Sequence, residues 1–128
     1  MKIELGKLIN SSEALMTLFK LGEEGKLPTK LTYRLSKILK KINPEIDAYE
    51  ETRKSLIVKL GTKDDKGNPV IKAEDTNAMA KYNKELETII KDEVAVDISF
   101  IPEDLLLEVD NLPTSIFIDL DWLIEESE

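Results

Sequence analysis

Apolar residues recur at gaps of three, four or seven in residues 28–60, the longest regular pattern in the chain. The stripe consists of Leu31, Leu35, Ile38, Ile42, Ile46, Tyr49, Leu56 and Leu60. This spacing places them on one face of an α-helix, close to a heptad seam. Pro44 lies inside the stripe. Because the register continues past it, we predict one kinked helix, and two helices that break at Asn43 are the alternative.

A second apolar stripe follows a turn rich in Gly, Pro, Asp and Asn at residues 61–69. Its members are Met79, Tyr82, Leu86 and Ile89. Acids at positions 74 and 75 start this second helix, which we expect to run to about Asp92. The two stripes predict an antiparallel helical hairpin over residues 28–92. Val70 and Ile71 are expected to form a small strand or hairpin at its tip.

The segment before the hairpin predicts a short strand and a helix. Residues 1–5 alternate between apolar and polar side chains, and Gly6 ends the pattern. The run Ser11-Ser12-Glu13 has the composition of a helix N-cap and first turn, so it predicts a helix from Ala14 to Leu21.

The segment after the hairpin, residues 93–128, predicts strands and a C-terminal helix. Alternating apolar residues in 94–100 indicate a strand that the N-terminal strand can pair with. Residues 105–109 are ambiguous and are interpreted as a strand. Pro113-Thr114-Ser115 begins a helix with Trp122 near its end. The chain is therefore predicted to be one helix-dominated α+β domain of residues 1–128, with a small β-sheet beside the helical hairpin.

The composition excludes several kinds of chemistry. The chain has no Cys and no His, so disulfides, thiolate nucleophiles and His-dependent catalytic or metal sites are all excluded. No phosphate-binding Gly loop or dinucleotide motif is present, and no cofactor is predicted. We therefore expect no enzymatic activity. The absence of a long apolar run and of a secretion signal predicts a cytoplasmic protein that makes no membrane contact.

Charge is distributed unevenly along the chain. Residues 92–128 contain twelve acids and no Lys or Arg, which leaves 14 acids against all 18 bases, a net +4, in residues 1–91. Such asymmetry predicts either a charged partner or pairing within the chain.

A row of basic residues lies beside the buried seam of the first long helix. Its members are Lys30, Arg34, Lys37 and Lys41, three or four residues apart, with Lys26 and Lys40 nearby. This row could bind phosphates or an acidic protein. The alternative is a solvated flank that pairs with the acidic C-terminal segment. The net charge of −8 argues against binding to nucleic acid.

An acidic face is the second candidate site. Asp119, Asp121, Glu125 and Glu126 surround Trp122. Carboxylates can bind a divalent cation, but the polar face of an amphipathic helix is the favoured interpretation, so no metal is predicted. Tyr33, Tyr49 and Tyr82 are expected to line the packing of the hairpin.

Six stretches that together span nearly the whole chain carry a resemblance to a known family. They are MKIELGKLINSSEAL, LPTKLTYRLSKILKKINPEI, YEETRKSLIVKLG, KDDKGNPV, YNKELETIIKDEVAVDI and LDWLIEE. They resemble a group of small proteins of unknown function from tailed phages and prophages of Gram-positive bacteria. Pro44 departs from the uninterrupted helix of that group. The resemblance implies a viral origin and expression in the cytoplasm of a bacterial host, and it provides no catalytic residues.

These observations predict a non-enzymatic phage accessory protein that acts through protein–protein contact, and inhibition of a host defence factor is one form of this hypothesis. The contact row would be the basic residues, with the acidic face as the alternative. An oligomer that sequesters a phosphate-bearing nucleotide and a tail or head assembly component are the other two hypotheses. A homodimer is expected, because Leu39, Ile57 and Val58 lie off the main seam.

Overall fold

The computed structural model describes residues 2–126. Helices α1 (Leu5–Glu23), α2 (Thr29–Leu60) and α3 (Thr76–Ile90) provide most of the fold, and α4 (Glu103–Leu107), α5 (Thr114–Asp119) and a 3₁₀ helix (Asp121–Leu123) follow. The strands are β1 (Lys2–Glu4), β2 (Thr62–Lys63), β3 (Pro69–Val70), β4 (Glu93–Ala95), β5 (Ile101–Pro102) and β6 (Ile124–Glu125). The predicted helix-dominated α+β class, with its long helix pair and small two-stranded sheets, is confirmed.

Helix α2 is continuous for 32 residues, although Pro44 lies inside it. Its length is therefore about 48 Å at the usual rise per residue. Pro44 is exposed, so its ring meets solvent and not a neighbouring element. The prediction of one helix across this position is confirmed, and the alternative break at Asn43 is wrong.

The hydrophobic core surrounds the N-terminal half of α2. Helix α1 packs along this half. The side chains with no exposed surface include Leu8, Leu15 and Leu18 of α1 and Leu31, Leu35 and Ile42 of α2. Leu106, Leu120 and Leu123 complete the same core from the C-terminal segment. Burial of this many Leu and Ile side chains, each stabilising by about 1.5–3 kcal/mol, positions one face of α2 and leaves its flank at the surface.

The C-terminal half of α2, strands β2 and β3, and α3 form a two-helix arm, residues 43–90. Within α3 the one buried residue is Ala78, and the other apolar residues facing α2 are half-buried. Strands β2 and β3 pair at the tip, with Thr62 opposite Val70, as the sequence predicts. Gly61 permits this turn, because a Cβ there would lie 2.3 Å from the carbonyl oxygen of Val70.

Strand β1 pairs with β4 in an antiparallel ladder that places Ile3 opposite Val94. This confirms the expected contact between the N-terminal strand and the segment that follows the hairpin. Met1, which the predicted strand also included, lies outside the described residues.

Helix α1 begins at Leu5, six residues before the predicted N-cap at Ser11. Ser11 is not a cap but a buried residue in the interior of the helix. Its Oγ lies 2.8 Å from the carbonyl oxygen of Lys7 and 2.9 Å from that of Asp119. The Ser-Ser-Glu run resembles an N-cap, but the Ser11 hydroxyl bonds to the Asp119 carbonyl of α5 and does not cap the start of its own helix.

Two strand predictions after the hairpin are wrong in extent or type. Ladder pairing covers only Glu93–Ala95, and the rest of the predicted strand over 94–100 has no strand partner. Residues 105–109 were expected to be a strand, but residues 103–107 form α4. Glu103 and Asp104 occupy its first turn, where negative charge is favourable to a helix.

The predicted C-terminal helix is shorter than its apolar spacing indicates. Helix α5 ends at Asp119, and the chain continues as the 3₁₀ helix and then as β6, which pairs in parallel with β5. Ile101 lies opposite Ile124 in this pair. Both segments bury apolar residues, so the spacing alone did not distinguish a helix from a strand. Residues 127 and 128 of the predicted segment lie outside the described chain.

Candidate functional site: a basic groove on the second helix

The four predicted basic residues line one groove of about 440 Å³, called here the basic groove. One wall is the flank of α2, with Lys30, Arg34, Lys37 and Lys41 beside Tyr33 and Ile38. The other wall is formed by Asp97, Ile98 and Ser99, which follow β4. Helical spacing places the cations in one row because residues three or four apart share a face.

None of the four groove cations forms a salt bridge with any residue in the range 2–126. The ion pairs found there involve Lys26, Arg53 and Lys91 instead. Asp97 is the acid that lines the groove, so the wall residues carry four positive charges and one negative charge. Direct pairing of the row with the acidic C-terminal segment, the alternative expectation, is therefore not found in the described part of the chain.

Arg34 connects the two walls of the groove. Its Nη1 donates a hydrogen bond of 3.0 Å to the carbonyl oxygen of Phe100. A guanidinium group has five N–H donors, so this bond leaves four for a ligand or for water. Arg34 is half-buried, whereas the three lysines are exposed. The bond therefore fixes one cation in the groove and leaves the other three able to adapt.

Tyr33 lies in the groove and not in the hairpin packing, which corrects the prediction for this residue. Its side chain is 61% exposed. The Nζ of Lys37 lies 5.1 Å from the centre of its ring, within the range of a cation–π contact. Tyr49 and Tyr82 do lie between α2 and α3, as expected.

The backbone of residues 97–99 has no hydrogen-bond partner in the described structure. The ladder of β4 stops at Ala95, and the next backbone contact along the chain is the carbonyl of Phe100 with Arg34. Val96 is buried and Ile98 half-buried, while Asp97 and Ser99 are exposed, which is the alternation of an extended strand. The groove therefore has one wall of cations and one wall formed by residues whose peptide groups are unpaired in the described structure.

The structure brings two of the four residues of the predicted acidic face into one groove. Asp121 and Glu126 line a separate groove of about 300 Å³ together with Leu107 and Phe117. Asp119 ends α5, Asp121 begins the 3₁₀ helix, Glu125 ends β6, and Glu126 follows β6. In the described part of the chain, no three acidic side chains are arranged to hold a metal ion.

Two polar clusters were not found from the sequence. The Nε1 of Trp122 donates to the Oγ of Ser11 at 2.7 Å, which joins α1 to the C-terminal segment. In the arm, Arg53 contacts Tyr82 Oη at 3.5 Å and Glu50 at 3.0 Å, and these hydrogen bonds raise the pKa of Arg53. Only the i, i+3 spacing of Glu50 and Arg53 is visible in the sequence.

Comparison with known proteins gives no relative for this chain. No protein family, no curated protein and no solved structure matches it. Across residues 2–126, none of the helices has the length and apolar character needed to cross a lipid bilayer.

Proposed function

We propose that this protein is a non-enzymatic binding protein that docks an acidic segment of a partner protein in the basic groove. One observation carries the proposal: four cations share a groove and none of them forms a salt bridge with a described residue. Cations held on a rigid helix favour encounter with an anionic partner and add specificity to the complex.

The resemblance to phage and prophage proteins supports a more specific form of this proposal. The partner would be a host or phage protein in the cytoplasm of the infected bacterium. Binding would occlude the partner's functional surface, which requires contact area and no catalytic residue. Inhibition of a host defence factor is one case of this mechanism.

Charge reversal in the groove tests the proposal. The variant Lys30→Glu/Lys37→Glu/Lys41→Glu changes three exposed residues and leaves the Arg34 contact intact. The matched control Lys54→Glu/Lys81→Glu/Lys84→Glu makes the same change in net charge on exposed positions of the arm. Each tagged protein is used to capture partners from a lysate of a Gram-positive host, followed by mass spectrometry.

We expect the wild type and the arm control to retain the same stoichiometric partner and the groove variant to lose it. Circular dichroism should be unchanged in all three proteins, because every substituted side chain is exposed. Equal capture by the groove variant and the wild type would contradict the proposal.

A phosphate-bearing nucleotide is the second candidate ligand, and the exposed ring of Tyr33 in the groove is the observation that favours it. A base could stack on this ring while its phosphates meet the lysines. This hypothesis needs a second copy of the chain to complete the site. It predicts binding heat with ADP-ribose or a cyclic dinucleotide, and loss of that heat in Tyr33→Ala.

An assembly component, the third hypothesis, would be present in purified virions.

A further inference from the structure

We propose that the basic groove binds the partner's acidic segment as an added β-strand along residues 97–99, with acidic residues at alternate positions facing the cations of α2. This inference rests on the proposed function and specifies the conformation and the sequence pattern of the bound segment. Extended peptides commonly bind in this way, through main-chain hydrogen bonds to an unpaired strand.

The unpaired backbone on one wall is the first observation behind this inference. Asp97, Ile98 and Ser99 follow β4 directly and keep the burial alternation of a strand. Their N–H and C=O groups have no partner within residues 2–126. Such groups form a template for a further strand. Because they offer donors and acceptors in turn, they match the backbone of another peptide.

The spacing of the cations on the opposite wall is the second observation. Lys30 and Arg34 are four residues apart, as are Lys37 and Lys41, and a rise of 1.5 Å per residue separates the members of each pair by about 6 Å along the helix. In a β-strand, side chains on one face recur every second residue, about 6.6 Å apart. Acids at positions i and i+2 of a bound strand therefore match the spacing within each of the two pairs of cations.

The pattern argues against two simpler ligands. Adjacent acids in a strand point to opposite faces, so a contiguous acidic run presents only part of its charge to α2. A long polyanion such as DNA would meet the overall net charge of −8 outside the groove. An alternating acidic peptide offers main-chain groups to residues 97–99 and carboxylates to the cations of α2.

Synthetic peptides distinguish strand addition from a purely electrostatic contact. One labelled peptide has the sequence TETETET, and its isomer TTEEETT has the same composition and net charge. Fluorescence anisotropy at low salt measures the affinity of each for the wild type. We expect the alternating peptide to bind at least about tenfold more tightly. Equal affinities would overturn the inference.

A backbone variant of the same peptide tests the main-chain contacts. Two N-methylated forms of TETETET are made, each with alternate amides methylated along one of the two edges of the strand. N-methylation removes the strand hydrogen bonds of that edge and keeps every charge. We expect one of the two edge-methylated peptides to lose at least about tenfold in affinity and the other to bind like the parent. Unchanged binding of both methylated peptides would contradict strand addition.

The outcomes separate the two proposals. Loss of partner capture in the groove variant together with equal affinity for the two isomers would keep the proposed function and overturn strand addition. A strong preference for the alternating peptide together with unchanged partner capture by the groove variant would support the strand site and overturn the proposed function.

Discussion

At the scale of single residues, Ser11 shows how one side chain can join distant parts of the chain. Its hydroxyl oxygen lies within hydrogen-bond distance of two carbonyl oxygens and of the indole N–H of Trp122. The residue has 1% exposure, so water is not available to replace these partners. Removal of the hydroxyl would leave the indole N–H of the half-buried Trp122 and the Asp119 carbonyl without this partner, and polar groups that lose a partner in a partly buried contact are costly.

Ser11→Ala is therefore expected to lower the free energy of unfolding by about 1–3 kcal/mol. Denaturant unfolding monitored by the fluorescence of Trp122, the only tryptophan, measures the change. The control is Ser12→Ala, because the Ser12 hydroxyl bonds only locally to the Ile9 carbonyl. Equal effects of the two substitutions would contradict the anchoring role of Ser11.

Tyr49 provides a prediction for the pH dependence of stability. Burial raises the pKa of its phenol above the ordinary value of 10.0, with the neighbouring Tyr82 as a smaller cause. The folded protein therefore keeps this proton at a pH where the unfolded chain loses it. The contribution to stability is fully present below pH 10 and is lost as the pH rises further.

Tyr49→Phe should remove this part of the alkaline decline. We expect the difference in unfolding free energy between wild type and variant to be constant up to about pH 9 and to shift in favour of the variant above pH 10. Denaturant titrations from pH 8 to pH 11 provide the comparison. Parallel pH profiles throughout would show that Tyr49 has no such effect.

At the scale of elements, α2 has two different environments along one uninterrupted helix. Its first half has a fully buried apolar face and carries the basic row on the flank, whereas beyond Ile42 its apolar residues are at most half-buried against α3. Pro44 lies close to this change. A proline inside a helix removes one backbone hydrogen bond and clashes with the preceding turn.

Pro44→Ala is expected to raise the free energy of unfolding by about 1–3 kcal/mol, because it restores the missing N–H and a favourable helix former at an exposed position. Thermal unfolding measures the gain. Asn43→Ala, the exposed neighbour, controls for helix propensity alone and should gain less than about 1 kcal/mol. A loss of stability in Pro44→Ala would indicate that the core and the arm depend on the local geometry at this proline.

The sequence predicted elements with long periodic patterns and failed for short ones. The stripe through Leu31, Leu35 and Ile38 extends over several turns, so the helix was evident despite Pro44. Residues 105–109 form a short apolar run, which fits a strand or a helix equally well. The ladder of β4 ends at Ala95 although the alternation continues, because a strand also requires a partner that its own sequence does not specify.

The same distinction applies to the candidate site. The cationic wall was predictable because Lys30, Arg34, Lys37 and Lys41 lie within three turns of one helix. The opposite wall follows β4, about sixty residues later, and no local pattern in the sequence brings it to α2. The contact from Arg34 to the Phe100 carbonyl likewise depends on the tertiary fold.

At the scale of the whole molecule, the arm, described over all of residues 43–90, has a single buried apolar residue, Ala78. Leu39, one of the residues expected to support a homodimer, belongs to the core with 5% exposure and is excluded from such an interface. Val58 is 64% exposed and Ile57 is half-buried, so both side chains on the arm can contribute to the predicted homodimer interface. Contiguous exposed apolar residues are typical of association surfaces.

Val58→Glu is expected to shift the predicted homodimer to monomer, because the charge would have to be buried in the interface. Sedimentation velocity over a range of protein concentrations measures the shift. Asn83→Glu adds the same charge at an exposed position of α3 and should leave the association unchanged. A wild type that is monomeric at all concentrations would contradict the homodimer itself.

Because α2 is one continuous helix, its two ends are mechanically connected. The basic groove lies along the first part of this helix, and the β2–β3 turn lies just beyond its other end, about 35 Å from Lys37. A rigid rod transmits a rotation over its full length, so a tilt of about 10° at the groove displaces the far end by about 6 Å. If occupancy of the groove tilts α2, the β2–β3 turn is expected to move, and a fluorophore at Lys63 would report it.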